Sequence, residues 1–270
     1  VRIVTWNVNS IRIRIDRLVA WLAERQPDVL CLQELKVADD EFPFAAIAAA
    51  GYHAAIHGQK TYNGVAVLTR TPAEVVARGL GDGVDDPQAR LIDVRLAPPA
   101  GGPAVRVLSV YVPNGSEPSS DKYAYKLRWL ARLRDYLQRH ADPNELLAVC
   151  GDYNIAPEPI DIRHLAQWSG TVLHNPEVRA AWDALADWGL QDAFRRVCPD
   201  AGLYSWWDYR NLGFQKNDGL RIDHVLATAP LAATATGGWI DRPQRKGDKP
   251  SDHVPLGVDF AVAGWDVPKT

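Results

Sequence analysis

Residues 105–112 read VRVLSVYV, a run that is aliphatic apart from Arg106, Ser109 and the phenol of Tyr111. A strand with one wet face alternates apolar and polar side chains, whereas a strand covered on both faces does not. The runs VLCL (29–32), GVAVL (64–68) and LLAVC (146–150) share this lack of alternation. Between them lie helical patterns. Ile15, Leu18, Val19 and Leu22 fall on one helical face that must stop near Pro27, and Leu127, Leu130, Leu133 and Leu137 mark a longer helix. Short buried strands alternating with helices define an α/β chain. With helices available for only one side of each sheet, the pattern predicts a four-layer α/β sandwich: two mixed β-sheets face to face, flanked by helices.

The chain has 270 residues, 47% hydrophobic and 23% charged, which suits an ordered globular protein with a sizeable core. The Pro/Gly/Ser-rich stretches 97–103 and 114–120 are short enough to be loops, so a single domain over 1–263 with a tail at 264–270 is expected. A formal net charge of −3 excludes a globally basic nucleic-acid binder, so any polyanion must be met by a local patch or a metal. Polar residues from Asn7 onward interrupt any leader-like apolar centre, and no stretch approaches the ~18 apolar residues of a membrane span. A cytoplasmic protein without membrane contact is expected. Cys31, Cys150 and Cys198 form no C-x-x-C pair and read as buried, reduced thiols.

Polar groups recur where the apolar runs stop. IVTW runs into Asn7, VLCLQ into Glu34, LSVYVP presents Tyr111 and then Asn114, and LLAVCG runs into Asp152 and Asn154. Later, LRID carries Asp223 and KPSDHVPL puts Asp252 beside His253. Taken singly, each has an ordinary explanation as a turn former, a cap, an exposed ion pair or a half-buried aromatic. Their joint occurrence does not, because independent turns have no reason to supply this set. Strand ends are rigid places to hold polar groups near solvent.

The runs WNVN, QELK, YVPNG, GDYN, SWWDYR, GLRID and SDH, spread from Asn7 to His253, resemble the motifs of the exonuclease III family of apurinic/apyrimidinic endonucleases, within the endonuclease/exonuclease/phosphatase superfamily. HGQK, SWWDYR and GLRID together resemble its bacterial branch. Leu35 stands where Thr is usual in QELK, and His224 follows GLRID where an apolar or aromatic residue is common. The resemblance implies a four-layer α/β sandwich, in agreement with the packing argument. It also implies a DNA repair nuclease that cuts duplex DNA 5′ to abasic sites and trims 3′ ends.

Residue chemistry gives the site its logic. A carboxylate ~4 Å from a phosphate repels it by roughly 4 kcal/mol at an effective dielectric near 20, so a site this acidic needs a cation. Oxygen ligands suit Mg²⁺, with Mn²⁺ as a substitute. Glu34 is the principal metal candidate, with Asn7 and Asp252 beside it, and the resemblance assigns the same three positions to the metal. Asp152 is the candidate base for an attacking water. Asn154 can orient that water or a phosphate oxygen, Tyr111 and Asn114 can donate to phosphate or the leaving group, and His253 can donate to a phosphate oxygen with Asp223 fixing its tautomer. These residue types allow one ion or two and leave the general acid unassigned.

Trp206 and Trp207, with Leu220 and Ile222, offer a flat apolar surface for a flipped sugar that lacks its base, and the resemblance places the abasic pocket at Trp206, Leu220 and Ile222. One of the two tryptophans is expected to point into the core. Lys60, Arg90 and the run Arg242, Arg245, Lys246 and Lys249 supply local positive charge, and Tyr62 and Asn63 could reach a groove. A monomer suffices for all of this. The alternatives are another phosphodiesterase of the superfamily, acting on nonspecific DNA or on phospholipid or inositol-phosphate substrates with the tryptophans dipping into a membrane, and an inactive DNA-binding module. The second gains nothing from placing Glu34, Asp152 and Asp223 next to a polyanion.

Overall fold

A computed structural model of the chain describes residues 1–265. Its strands are β1 (Arg2–Asn7), β2 (Val29–Gln33), β3 (His53–His57), β4 (Val65–Thr69), β5 (Ala73–Arg78), β6 (Leu91–Leu96) and β7 (Val105–Tyr111). They continue as β8 (Leu147–Asp152), β9 (Leu190–Asp192), β10 (Trp206–Trp207), β11 (Gly219–Leu220), β12 (Asp223–Thr228), β13 (Ala235–Ile240) and β14 (Leu256–Phe260). Two six-stranded sheets result, ordered β13-β14-β1-β2-β4-β3 and β5-β6-β7-β8-β12-β9, with β10 and β11 as a separate pair. Both sheets are mixed. Each has one parallel pair near its middle, β1 with β2 and β7 with β8, and antiparallel neighbours around it.

A long helix bridges each parallel pair, α1 (Ile11–Arg25) in the first sheet and α3 (Asp121–His140) in the second. The backbone N–H groups of Ser10 and Ile11 donate to Glu34 and Leu35 carbonyls, so α1 starts against the turn after β2. It stops at Gln26, whose left-handed backbone (φ 44°) precedes Pro27. Ser120 caps α3 by accepting from the Tyr123 N–H. Shorter helices include α2 (Phe44–Ala49), α4 (Leu165–Trp168) and α5 (Pro176–Trp188).

The four layers follow from which side chains each strand buries. Val29, Cys31, Val67, Val107, Cys150 and Val258 meet between the sheets. Trp6, Leu30 and Leu32 face outward onto Leu18, Trp21 and Leu22 of α1, while Leu108, Val110 and Val149 face Trp129, Leu130 and Leu133 of α3. Successive residues of β7 thus enter different cores, which is why 105–112 shows no alternation. Each fully buried Val or Leu contributes roughly 1.5–3 kcal/mol.

Three details depart from the sequence reading. On α1 the buried face is Ile11, Arg14, Leu18, Trp21 and Leu22, with Ile15 and Val19 only half-buried, because the Arg14 guanidinium turns inward to the Asn9, Lys249 and Pro250 carbonyls. Of the expected tail 264–270, Trp265 is buried against the inter-sheet core, and 266–270 lie outside the described residues. Cys31 and Cys150 are free and buried, whereas Cys198 is half-exposed. Among the described residues no helix is long and apolar enough to cross a membrane.

Candidate active site

Asn7 closes β1, Glu34 follows β2, Tyr111 closes β7 and Asp152 closes β8, so the carboxyl ends of both parallel pairs converge at one edge of the sandwich. Antiparallel strands bring the rest. Asp223 opens β12 directly opposite Asp152, and His253 pairs with Trp206 just before β14. Asp223 therefore begins its strand. Gly151 has no substitute in this geometry, since a Cβ there would sit 1.9 Å from the Val110 carbonyl oxygen.

The Asn7 amide donates to Glu34 Oε1 at 2.8 Å and to Asp152 Oδ2 at 3.0 Å, tying two carboxylates together. Lys36 pairs with the other Glu34 oxygen at 2.9 Å. Glu34 itself holds a left-handed backbone (φ 52°), a conformation costing on the order of 1–3 kcal/mol for a non-glycine residue and kept here by Leu35 and Lys36 N–H bonds to the Gly64 and Asn63 carbonyls. Asp152 is buried, and its Oδ1 accepts the Asn154 backbone N–H at 2.8 Å. The Asn154 side chain is fully engaged, its amide donating to the Val112 carbonyl and its oxygen accepting from Asn114 at 2.8 Å.

His253 donates through Nδ1 to Asp223 Oδ2 at 2.8 Å, and that same oxygen accepts the Ser205 hydroxyl at 2.6 Å. The other ring nitrogen lies 3.6 Å from Asp152 Oδ2. Burial works against the imidazolium, but the carboxylates of Asp223 and Asp152 outweigh it and hold the His253 pKa far above an ordinary imidazole. Burial pushes the Asp152 carboxyl up, with His253 opposing and Asp223 reinforcing the shift. Burial, then Glu34 and Asp152, push the Tyr111 phenol well up, so it is a neutral donor. Asp252 is held below the ordinary carboxylate range despite burial, by His253 and by bonds from Trp206 Nε1 and Asn9 Nδ2, each 3.0 Å.

These groups line a cavity of about 490 Å³. Its lining combines the polar Glu34, Tyr111, Asp152, Asp252 and His253 with apolar walls from Trp168, Val172, Leu173, Trp206 and Ile222. Trp168 meets Trp206 edge to face at 5.8 Å. Leu220 pairs with Trp206 across β10–β11 but is wholly buried, a support behind the wall. Trp207 is the inward member of its pair, packed on Phe214 at 5.2 Å, which removes the exposed aromatic pair that a membrane-dipping phosphodiesterase would need. Arg90 lines an adjoining groove that shares Tyr111 and Asn114 with the cavity, its guanidinium 4.7 Å over the Tyr111 ring.

Among the described residues, Glu34, Asp152 and His253 offer potential ligand atoms within 4.8 Å of one another. A protonated His253 is no ligand, which leaves the carboxylate oxygens of Glu34 and Asp152, a donor set that fits a hard divalent cation. Asn7 stands between them with its oxygen turned to the Asn9 N–H, and Asp252 reaches the same cavity but spends both oxygens on Trp206 and Asn9. The structure thus groups Glu34 with Asp152 more closely than with Asp252.

The basic residues divide. Arg245 is buried, 4.6 Å from the Tyr209 ring and bonded to the Trp207 carbonyl, so it braces the 205–217 loop, whereas Arg242 lies 4.3 Å over Phe214 but stays exposed. Lys60, Lys246 and Lys249 are exposed. Tyr62 is exposed, but Asn63 is buried on Gln59. Sequence reasoning missed Trp168 and the 171–173 segment, which sit far from any motif, and Asp208 and Arg210 at the rim. It also missed Lys126, which Tyr123 and Leu130 place at helical spacing on the buried face of α3. A charge at a core position was the available signal.

The sequence pattern of the endonuclease/exonuclease/phosphatase family matches residues 4–253. Exodeoxyribonuclease III of Haemophilus influenzae is 38% identical over 267 residues, covering 96% of this chain and 99% of that protein. The structure of an AP endonuclease from Archaeoglobus fulgidus superposes with a TM-score of 0.91 at 39% identity, covering 97% of this chain and all of the other. A Neisseria 3′ phosphatase bound to product DNA hairpin gives a TM-score of 0.91 at 38% identity, over 96% and 99% of the two chains.

Proposed function

This chain belongs to the endonuclease/exonuclease/phosphatase family, and from that membership we propose how its site works on DNA. It is a hydrolase, a metal-dependent DNA repair nuclease of the exodeoxyribonuclease III type. The proposed substrate is duplex DNA carrying an abasic site, cut on its 5′ side, or a 3′ end from which nucleotides or blocking groups are removed. The proposed cation is Mg²⁺, with Mn²⁺ able to replace it, and the enzyme acts as a cytoplasmic monomer.

The observation that carries this reading is one cavity whose lining joins carboxylates suited to a cation and a phosphodiester with apolar walls suited to a bare sugar. Glu34 would hold the ion, with Asn7 fixing its spacing from Asp152. Once bound, the ion would neutralise the phosphate oxygens and polarise the scissile bond. Asp152, desolvated and anchored by the Asn154 N–H, takes a proton from the attacking water. Tyr111 donates its phenolic hydrogen at the leaving side. His253, whose Nδ1 is committed to Asp223, presents its Nε2–H to a phosphate oxygen and stabilises the charge that grows there. Asn114 and Asn154 bond each other, so their contribution is to fix the loops that carry Tyr111 and Asp152. Trp206 and Ile222, backed by Leu220, would accept the sugar, and Arg90 would steady the strand in the adjoining groove.

The test is an end-labelled duplex with one abasic analogue, incubated with Mg²⁺ or with EDTA, beside a phospholipid substrate. A product ending 5′ to the lesion in Mg²⁺ alone supports the reading. Phospholipid hydrolysis without DNA incision would replace it with the other phosphodiesterase reading.

A further inference from the structure

Lys126 lies in the second turn of α3, on its buried side, with no part of it exposed. Among the described residues no carboxylate pairs with it. Its Nζ donates instead to three backbone carbonyls, Asn154 at 2.6 Å, Val172 at 2.6 Å and Asn114 at 3.2 Å. Three acceptors match the three hydrogens of an ammonium, one more than a neutral amine carries. Burial pulls the pKa down, to about 7, while the Asp152 charge pulls the other way. The surroundings are shaped for this side chain, because Gly115 has a left-handed backbone (φ 100°) and a Cβ there would press on Lys126 Cδ at 3.3 Å.

The three carbonyls belong to three separate segments. Asn114 follows β7 and Asn154 follows β8, and their side chains bond each other beside Asp152. Val172 lies in the segment after α4 that forms the apolar wall with Trp168. No other side chain joins all three by hydrogen bonds among the described residues.

We propose that Lys126 is a positioning residue whose ammonium locks the sugar-accepting wall to the two loops that orient Asp152, so that pocket and proton acceptor keep a fixed spacing. This rests on the nuclease reading above. Lys126 touches neither substrate nor ion, and it acts through the Asn154 and Val172 peptides. Loosening it should therefore degrade turnover more than duplex affinity, since phosphate contacts lie elsewhere.

The experiment compares wild type, Lys126→Met, Asn154→Ala and the double variant on the abasic duplex in Mg²⁺, at a temperature where circular dichroism shows each folded. Amide exchange is followed over 113–116 and 171–173. Expected are a loss of at least tenfold in kcat for Lys126→Met with Kd for uncut duplex within about threefold, faster exchange in both segments, and a double variant no slower than the slower single one. Unchanged kcat, or losses that multiply in the double variant, overturns the proposal. Should Lys126→Met not fold, Lys126→Gln, which keeps two N–H donors, goes through the same cycle. A wild type that does not cut DNA would sink the nuclease reading, and the exchange comparison would still decide whether Lys126 holds the segments.

Discussion

Asp152 stands where three influences cross: burial raises its proton affinity, the His253 imidazolium lowers it, and Asp223 raises it again. Such a carboxylate can accept a proton near neutral pH without being lost to solvent. Replacing it with Asn keeps the shape and removes the basicity. Asp152→Asn should lower kcat by on the order of 10²–10⁴ while Kd for uncut duplex stays within about threefold, as single-turnover and gel-shift measurements would show. An equal collapse of binding would make Asp152 a structural residue. Charge counting misleads here, since Arg245 and Lys246 are neighbours in sequence, yet one is buried on Tyr209 and the other is exposed. Composition carries no information on which cation finds a ring.

Among the elements, β12 is held at its start by a buried network. Arg221 bonds Asp161 at 2.8 Å and Asp192 at 2.7 Å, and its Nη1 meets His224 Nδ1 at 2.9 Å. His224 belongs to this support and lies next to Asp223. Despite burial, the Arg221 charge holds both the Asp192 and Asp161 carboxyls below their ordinary range. A folded pKa below the unfolded one stabilises the fold fully above about pH 4, and that stability fades as pH falls through the lowered values. Asp192→Asn should cost about 3 kcal/mol at pH 7 and flatten the loss of stability below pH 4, read from urea midpoints. A variant as acid-sensitive as wild type would place the acid lability elsewhere. The strands themselves are legible because burial on both faces writes a local pattern, as in 29–32 and 105–112. The roles of Lys126 and Trp168 are not, because their partners are carbonyls and rings distant in sequence, although a charge at a core position of α3 marks Lys126.

For the whole molecule, a net charge of −3 means that DNA must be met locally. The fold answers by gathering strand ends from both sheets at one edge, where an ion can reverse the sign of the potential, with exposed Lys246 and Lys249 beside the 251–253 turn. Lys246→Ala should weaken duplex binding several-fold and reduce the slope of log Kd against log salt by about 1, with turnover at saturation unchanged. An unaltered slope would remove Lys246 from the interface. The deciding measurement is a titration of Mn²⁺ into thoroughly demetallated protein, with bound ion followed by electron paramagnetic resonance and incision of the abasic duplex followed in the same samples. Incision should rise in step with occupancy, and Glu34→Gln should lose both together. Undiminished cutting by the metal-free protein, or full ion binding by Glu34→Gln, would contradict the account.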